Sequence, residues 1–130
     1  MRGGRRLFRA ALLAAGLIAC GNDPLAPFQP EVNNATDSFQ LQATGVTNAT
    51  QTLVYTWRNT GTVANVNHST TTTSGSARLI VLAANGAQVY DKQLVASLNE
   101  QTATGTSGDW TIRLVLNNYS GTLNFRVQKP

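Results

Sequence analysis

The fold is decided near the C-terminus, where residues 110–116 are Trp-Thr-Ile-Arg-Leu-Val-Leu and residues 123–127 are Leu-Asn-Phe-Arg-Val. Apolar residues occupy every second position in both stretches, which is typical of β-strands with one buried face. Asn-Tyr-Ser-Gly at 118–121 predicts a turn between them. We therefore expect a hairpin in which Tyr119 is exposed at the tip, and Leu114 and Ile112 lie opposite Phe125 and Val127, respectively.

Similar alternation occurs upstream in residues 39–43, 53–58 and 88–95, and a weaker strand is expected near 63–71. Residues 78–83 form a continuous apolar run, typical of a strand buried on both faces. Asn85-Gly86 predicts a type I′ hairpin turn, because both central residues of that turn need a positive φ. Two core sets are possible for this hairpin: Ile80, Leu82 and Val89, or Leu79, Val81 and Tyr90.

About seven or eight short strands with regularly spaced turn signals predict an antiparallel β-sandwich, either immunoglobulin-like or jelly-roll. Residues 108–127 resemble the closing strands of such modules on bacterial surface proteins. The sequence leaves the strand order open. The predicted core consists of Leu53, Tyr55, Trp57, Trp110, Ile112, Leu114, Phe125 and Val127.

The formal net charge of +4 comes entirely from the N-terminal segment. Four of the ten basic residues lie in residues 1–19, and the remaining six balance the six acidic residues. A protein that binds the phosphates of nucleic acid needs a stripe of basic residues on its folded domain. We therefore expect no nucleic-acid partner.

The N-terminal segment has the order of an export signal. Residues 1–9 are basic, residues 10–18 are a short apolar run, and Ala19 precedes the only cysteine, Cys20. The apolar run is too short to span a bilayer and matches the middle region of a secretory signal peptide, expected to be helical. The tetrad Leu17-Ile18-Ala19-Cys20 resembles the lipobox of bacterial lipoproteins.

That resemblance implies cleavage before Cys20 and lipidation of its sulfur, so that the protein contacts the membrane through this lipid. The next residue is Gly21, not the Asp that resembles an inner-membrane retention signal, which favours the outer membrane. The expected organisation is a signal peptide (1–19), a lipidated cysteine with a flexible tether (20–36) and a β-sandwich domain (37–130). Prolines at 24, 27 and 30 favour an extended tether.

The sequence predicts neither an enzyme nor a cofactor site. His68 is the only histidine and stands in a polar stretch, so we expect it on a solvated strand edge. No nucleophile-elbow pattern and no His/Cys cluster accompanies it, so no catalytic or metal-binding residue is assigned. Glu31, Asp37 and Asp109 are the acids that calcium would have to use. Asp91 is expected on an outward face or beside an arginine.

Arg113 and Arg126 are the candidate ligand-binding residues. In the predicted hairpin they lie opposite each other, and facing like charges are destabilising unless a carboxylate or an anionic ligand lies beside them. We expect a non-catalytic binding or adhesion-like module of the cell envelope, with an envelope protein or a glycan as partner. The alternatives are an accessory subunit that pairs through a sheet edge, or a minimal carbohydrate-binding domain with exposed aromatic rings.

Overall fold

The computed structural model describes residues 30–130, where all regular structure is antiparallel β-sheet. Within that range no helix has the length and apolar character needed to cross a bilayer. The predicted signal helix, the lipobox and most of the tether lie outside the described residues. Residues 30–130 contain seven strands, in chain order: β1 (Glu31–Ala35), β2 (Ser38–Asn59), β3 (Asn65–His68), β4 (Thr71–Leu82), β5 (Gln88–Gln93), β6 (Leu98–Gln101) and β7 (Gly108–Gln128).

The predicted C-terminal hairpin is wrong. Residues 110–116 and 123–127 belong to one strand, β7, and both pair with β2, from Ser38 opposite Gln128 to Asn59 opposite Gly108. The alternation of apolar residues in these stretches requires that one face of each be buried, but it does not specify which strand pairs with them. Residues 39–43 and 53–57 carry the matching alternation, so each half of β7 pairs with one half of β2.

The ribbon of β2 and β7 bends back on itself and so forms the two layers of a sandwich. The rings of Phe39 and Tyr55, both in β2, have centroids 5.3 Å apart, whereas a straight strand would separate these positions by roughly 50 Å. The Asp37 N–H also donates to the Arg58 carbonyl at 2.8 Å. Register shifts mark the bend at residues 43–51 of β2, and positive φ angles occur there and in β7 at Gly45, Asn48, Asn118 and Gly121.

Layer A contains β1, residues 38–46 of β2, residues 121–128 of β7, β3 and β6, paired in that order. Layer B contains residues 49–59 of β2, residues 108–119 of β7, residues 76–82 of β4 and β5, also in that order. The fold is thus the predicted antiparallel β-sandwich. In an immunoglobulin-like sandwich each strand belongs to one sheet, whereas β2 and β7 here serve both layers.

One hydrophobic core fills the space between the layers. The predicted core is confirmed: Trp57 and Trp110 are fully buried and meet edge to face at 5.9 Å, and Leu53 and Tyr55 pack against the cluster from its margin. Tyr119 is also fully buried, and its hydroxyl donates to the Thr71 carbonyl at 3.1 Å. The prediction of an exposed Tyr119 is wrong because the segment at 118–121 bends toward the core instead of reversing the chain.

The hairpin of β4 and β5 is confirmed, but its turn type differs. The Gly86 N–H donates to the Ala83 carbonyl at 2.9 Å, and only Gly86 has a positive φ, of 87°. This is the three-residue loop with a glycine bulge, not the type I′ turn that Asn-Gly predicts. The core set is the second of the two alternatives: Leu79, Val81 and Tyr90, with Val89 also buried.

The sheet begins earlier than the predicted boundary at residue 37. Residues 31–35 form β1, which pairs along its whole length with β2. The Trp57 indole N–H donates to the Ala35 carbonyl at 3.0 Å, and the Asn34 amide donates to the Thr56 carbonyl at 2.9 Å. These bonds include β1 in the folded domain, so the tether as predicted, 20–36, extends too far along the chain.

Candidate functional site

The outer face of layer A carries the candidate functional site. Phe39, Leu41 and Phe125 point into the core, so the residues between them point outward, because successive side chains of a strand lie on opposite faces. The outward positions of all five strands are dominated by carboxamides, and we call this surface the amide face. Its nine amide residues are Asn33, Gln40, Gln42, Asn65, Asn67, Asn99, Gln101, Asn124 and Gln128.

The middle row of the amide face crosses all five strands. The residues that lie directly opposite one another are, in order, Asn33, Gln40, Arg126, Asn67 and Asn99. Adjacent strands are about 4.8 Å apart, so the row is on the order of 20 Å long with Arg126 at its centre. The row presents hydrogen-bonding groups that a rigid sheet holds at regular spacing.

The side chains of the amide face make few bonds to the protein. The Gln101 amide donates to Asn65 Oδ1 at 3.4 Å, and the Ser69 hydroxyl donates to Asn67 Oδ1 at 3.5 Å. Within residues 30–130, the side chains of Gln40, Gln42 and Arg126 have no hydrogen-bond or ion-pair partner. Their donors and acceptors are available to water or to a ligand.

A groove of about 440 Å³ lies on the β1 side of this face. Its lining includes Glu31 and Val32 at the edge and three residues of the amide face, Asn33, Gln40 and Gln42. The volume lies in the range of small-ligand sites. The lining is mostly polar, so a ligand here would be held mainly by hydrogen bonds.

The outer face of layer B has a different composition, and we call it the mixed face. Its central row runs from Val54 through Arg113 and Ile80 to Asp91. Val54 is 58% exposed. Two ion pairs lie on this face, Arg58 with Asp109 at 3.4 Å and Arg78 with Asp91. The prediction that Asp91 faces outward beside an arginine is therefore confirmed.

The two candidate arginines do not face each other. Arg113 lies on the mixed face between Val54 and Ile80, whereas Arg126 lies on the amide face between Gln40 and Asn67. The predicted juxtaposition is wrong because it depended on the hairpin at 118–121. Each arginine is nevertheless without an ion pair in the described residues, where the other four cations all have one.

His68 is buried, so the prediction of a solvated edge is wrong. Its side chain is 1% exposed and joins the two layers. The Val95 N–H points to His68 Nδ1 at 3.3 Å, and His68 Nε2 lies 2.7 Å from the Tyr90 hydroxyl. The Tyr90 hydroxyl in turn donates to Glu100 at 2.7 Å. The sequence gives no sign of this network because its members come from β3, β5 and β6.

The hydrogen-bond pattern assigns the protons of this network. Nδ1 accepts from a backbone N–H, so it carries no proton, and Nε2–H donates to Tyr90. Burial lowers the pKa of His68, and the nearby Glu100 carboxylate partly opposes that effect. Burial and the bond to Glu100 raise the pKa of Tyr90, and the same bond lowers the pKa of Glu100. With both ring nitrogens engaged, His68 cannot activate a nucleophile in this state.

The acids considered for calcium are separated or already engaged. Asp37 accepts from the Thr60 N–H at 2.7 Å, which lowers the pKa of Asp37, and Asp109 pairs with Arg58. Glu31 lies at the margin of the amide face, opposite Gln42. Among residues 30–130 there is no group of three or more His, Cys, Asp or Glu side chains that could hold a metal ion.

The sequence did contain the signal for the amide face. Between the apolar positions of Phe39-Gln40-Leu41-Gln42, Asn65-Val66-Asn67-His68 and Leu123-Asn124-Phe125-Arg126-Val127-Gln128, almost every outward residue is an amide. The apolar positions of these stretches identify the strands, but alternation alone assigns no role to the polar positions. Only the strand order shows that these stretches are neighbours in one layer.

No protein-family model matches the sequence, and the comparison with curated proteins gives no match. The structure is similar to that of a carbohydrate-binding module from Cellvibrio mixtus lichenase 5A, in complex with cellotriose. The TM-score is 0.47 and the identity 16%, over 78% of this chain and 86% of that chain. It is also similar to procruciferin, an 11S globulin of Brassica napus, with a TM-score of 0.38 and 16% identity, over 82% of this chain and 29% of that chain.

Proposed function

We propose that the protein is a lipid-anchored, non-catalytic glycan-binding module of the bacterial cell envelope, and that the amide face is its binding surface. The observation that carries the proposal is the row of outward side chains across all five strands of layer A, from Asn33 to Asn99. Each carboxamide offers two N–H donors and one carbonyl acceptor. Sugar hydroxyls both donate and accept, so they are complementary to such a row.

The composition of the face favours a glycan over a protein partner. The centre of a protein–protein interface is enriched in aromatic and apolar side chains. At the centre of the amide face Arg126 is exposed, with amides opposite it on both sides. A protein that docked there would have to desolvate many polar groups without burying apolar area in return.

The proposed anchor is the lipid on Cys20. One acyl chain gives only marginal membrane binding, whereas two or more give stable anchoring, at about 0.8 kcal/mol per buried methylene. Nine residues, 21–29, lie between Cys20 and the described part of the chain, which begins at Pro30. If extended, they would hold the sandwich roughly 30 Å from the bilayer.

The anchor is tested by fractionating cells that express the full chain or its Cys20→Ala variant. We expect the full chain in the membrane fraction, resistant to salt and extracted by detergent, and the variant in the soluble fraction. Separation of inner and outer membranes then tests the proposed outer-membrane location. A Cys20→Ala protein that stays in the membrane fraction would rule out the lipid anchor.

The binding face is tested with the full chain in detergent and a panel of polysaccharides that includes peptidoglycan and the organism's own surface glycans. The test variant is Gln40→Ala/Asn67→Ala/Asn99→Ala, and the matched control is Thr52→Ala/Thr56→Ala/Thr111→Ala on the mixed face. We expect at least tenfold weaker glycan binding by the test variant and unchanged binding by the control, with similar thermal stability. Equal binding by all three proteins would exclude the amide face.

A second candidate function, an accessory subunit that pairs through a sheet edge, is favoured by one observation. The carbonyls of Thr56 and Arg58 at the free edge of β2 are capped by Asn34 and Asp37. Alternate residues of a strand direct their backbone N–H and C=O groups to the same edge, so those of Thr52 and Val54 also point away from β7. A strand of a partner protein can pair with them there. A pull-down from detergent-solubilised envelope tests this function: a Val54→Lys variant should lose a protein partner held at this edge.

A further inference from the structure

The ion pairs of the domain single out Arg126. Of the six cations in residues 30–130, four lie within 4.0 Å of a carboxylate, in pairs with Asp109, Asp91, Glu100 and Asp37. The two without such a pair are Arg113 and Arg126. Arg113 is half-buried on the mixed face, whereas Arg126 is exposed at the centre of the amide face. A guanidinium in that position is available to an anion from outside the protein.

The surroundings of Arg126 suit an oxyanion. Gln40 and Asn67 lie directly opposite it on the two neighbouring strands, at Cα distances of about 4.5–5.5 Å. Arginine presents its donors in a planar fork that matches the two oxygens of a carboxylate or a phosphate. The two amides can turn their N–H groups toward the same anion or toward hydroxyls beside it.

No exposed aromatic ring on which a sugar could stack is present in residues 30–130, and this favours a charged ligand. Among residues 30–130, every aromatic side chain is buried except Tyr55, which is half-buried against the core. Apart from bonds donated by Arg126, a neutral sugar on the amide face would therefore be held by neutral hydrogen bonds in competition with water, each with a small net contribution. Hydrogen bonds between ions are roughly twice as strong, so an anionic group would orient the ligand.

We propose that the ligand is an anionic glycan and that its oxyanion, a carboxylate or a phosphate, binds Arg126 between Gln40 and Asn67. This inference rests on the proposed function and adds the chemical class of the ligand. Glu31, on the same face at the β1 edge, has no ion pair in the described residues. Its carboxylate opposes anion binding at that edge.

The test measures binding of the full chain, in detergent, to paired polymers that differ only in charge. Polygalacturonate is compared with its methyl-esterified form, and a phosphorylated mannan with the same mannan after phosphatase treatment. We expect the charged member of at least one pair to bind about tenfold to hundredfold more tightly, and added salt to weaken that binding. The pair that shows the difference identifies the oxyanion.

Three variants assign the effect to Arg126. Arg126→Gln should abolish the preference for the charged polymer, and Glu31→Gln should increase affinity by about twofold through reduced repulsion. Arg113→Gln makes the same change in net charge on the mixed face and should bind as the unmodified chain does. Equal losses in the Arg113 and Arg126 variants would show a general charge effect and overturn the proposal.

The binding experiments distinguish a failure of this proposal from a failure of the proposed function. If charged and neutral polymers bind equally and Arg126→Gln changes nothing, the anionic class is wrong, although the amide face still binds a glycan. If no glycan binds and the triple substitution on the amide face has no effect, both are wrong.

Discussion

The amide face and the mixed face lie on opposite sides of one core, and they are built by the same alternation in the same two long strands. On the mixed face, Arg58 and Arg78 each have a carboxylate partner, and aliphatic residues such as Val54 lie between them. On the amide face, Gln40 and Arg126 lie at the centre, and their side chains have no partner within residues 30–130.

The difference supports the proposal that the amide face binds a ligand. Strand formation requires only that inward positions be apolar, so the outward positions are free to vary. Thr, Val and charged residues are common at outward strand positions, and the mixed face has this composition. Asn is depleted in strands, yet four of the five strands of layer A carry it on their outer side. The proposed hydrogen-bonding role of the face would account for asparagine at these positions.

The largest expected effect comes from Gly121→Ala, because the bend at Gly121 separates the two faces. Gly121 has a φ of 148°, and a Cβ placed there would lie 2.2 Å from the Thr71 carbonyl oxygen. Neither the backbone angle nor the contact can be relieved without opening the bend. We expect a loss of more than about 3 kcal/mol in the free energy of unfolding, measured by urea denaturation.

Gly86→Ala is the matched control for that substitution. Gly86 also has a positive φ, of 87°, but no atom lies within 4 Å of an added Cβ. Only the backbone conformation is penalised, at a cost of about 1–2 kcal/mol. If the two variants lost equal stability, the contact of the added Cβ at Gly121 would contribute nothing, and close packing at the bend would not be important for stability.

The sequence predicted the sandwich and its core because alternation depends on burial alone. Trp57, Trp110 and Ile112 are buried wherever their strands lie in the sheets. The pairing of strands depends on contacts between distant parts of the chain, and alternation does not encode it. The segment at 118–121 has turn residues, but Asn118 and Gly121 use their positive φ angles to bend a strand.

The candidate site was predicted only in part, for the same reason. The sequence makes Arg126 a candidate, but it does the same for Arg113, which lies on the other face. Four of the amide positions lie in β3 and β6, which pair with each other although they are about thirty residues apart in the chain. Such a surface follows from strand order, and strand order was the property that the sequence left open.

The next largest effect is expected from Tyr90→Phe, because the Tyr90 hydroxyl links layer A to layer B along one side of the sandwich. Its removal leaves the buried His68 Nε2–H without an acceptor and removes a donor to Glu100. A buried polar group that loses its partner costs about 1–3 kcal/mol. We expect a loss of that size in urea denaturation. A change below about 0.5 kcal/mol would show that water replaces the hydroxyl.

The same network predicts a dependence of stability on pH. The pKa of His68 is lowered in the folded protein from its usual value of 6.5, so the unfolded chain binds the proton more readily. The stability contributed by neutral His68 is therefore complete above pH 6.5 and decreases as the pH falls toward the lowered value. Below about pH 4.5, protonation of Glu100 adds a second loss in the same direction.

Urea denaturation between pH 8 and pH 5 measures this dependence. His68 is the only histidine in the chain, so a His68→Gln variant should be less stable throughout but almost independent of pH in this range. A flat curve for the unmodified chain would mean that the layers open enough for His68 to be protonated without cost.

The smallest effects on stability are expected from Arg113→Gln and Arg126→Gln, and they isolate what distinguishes the two faces. Neither arginine has an ion pair in the described residues, so each substitution should change the free energy of unfolding by less than about 0.5 kcal/mol. Substitution of an arginine with an exposed partner, as in Arg58→Gln, should cost about as little. The variants should therefore be indistinguishable in urea and differ only in ligand binding, where Arg126→Gln alone loses affinity. A clear loss of stability in Arg126→Gln would instead assign this side chain a structural role, and the amide face would lose its central binding group.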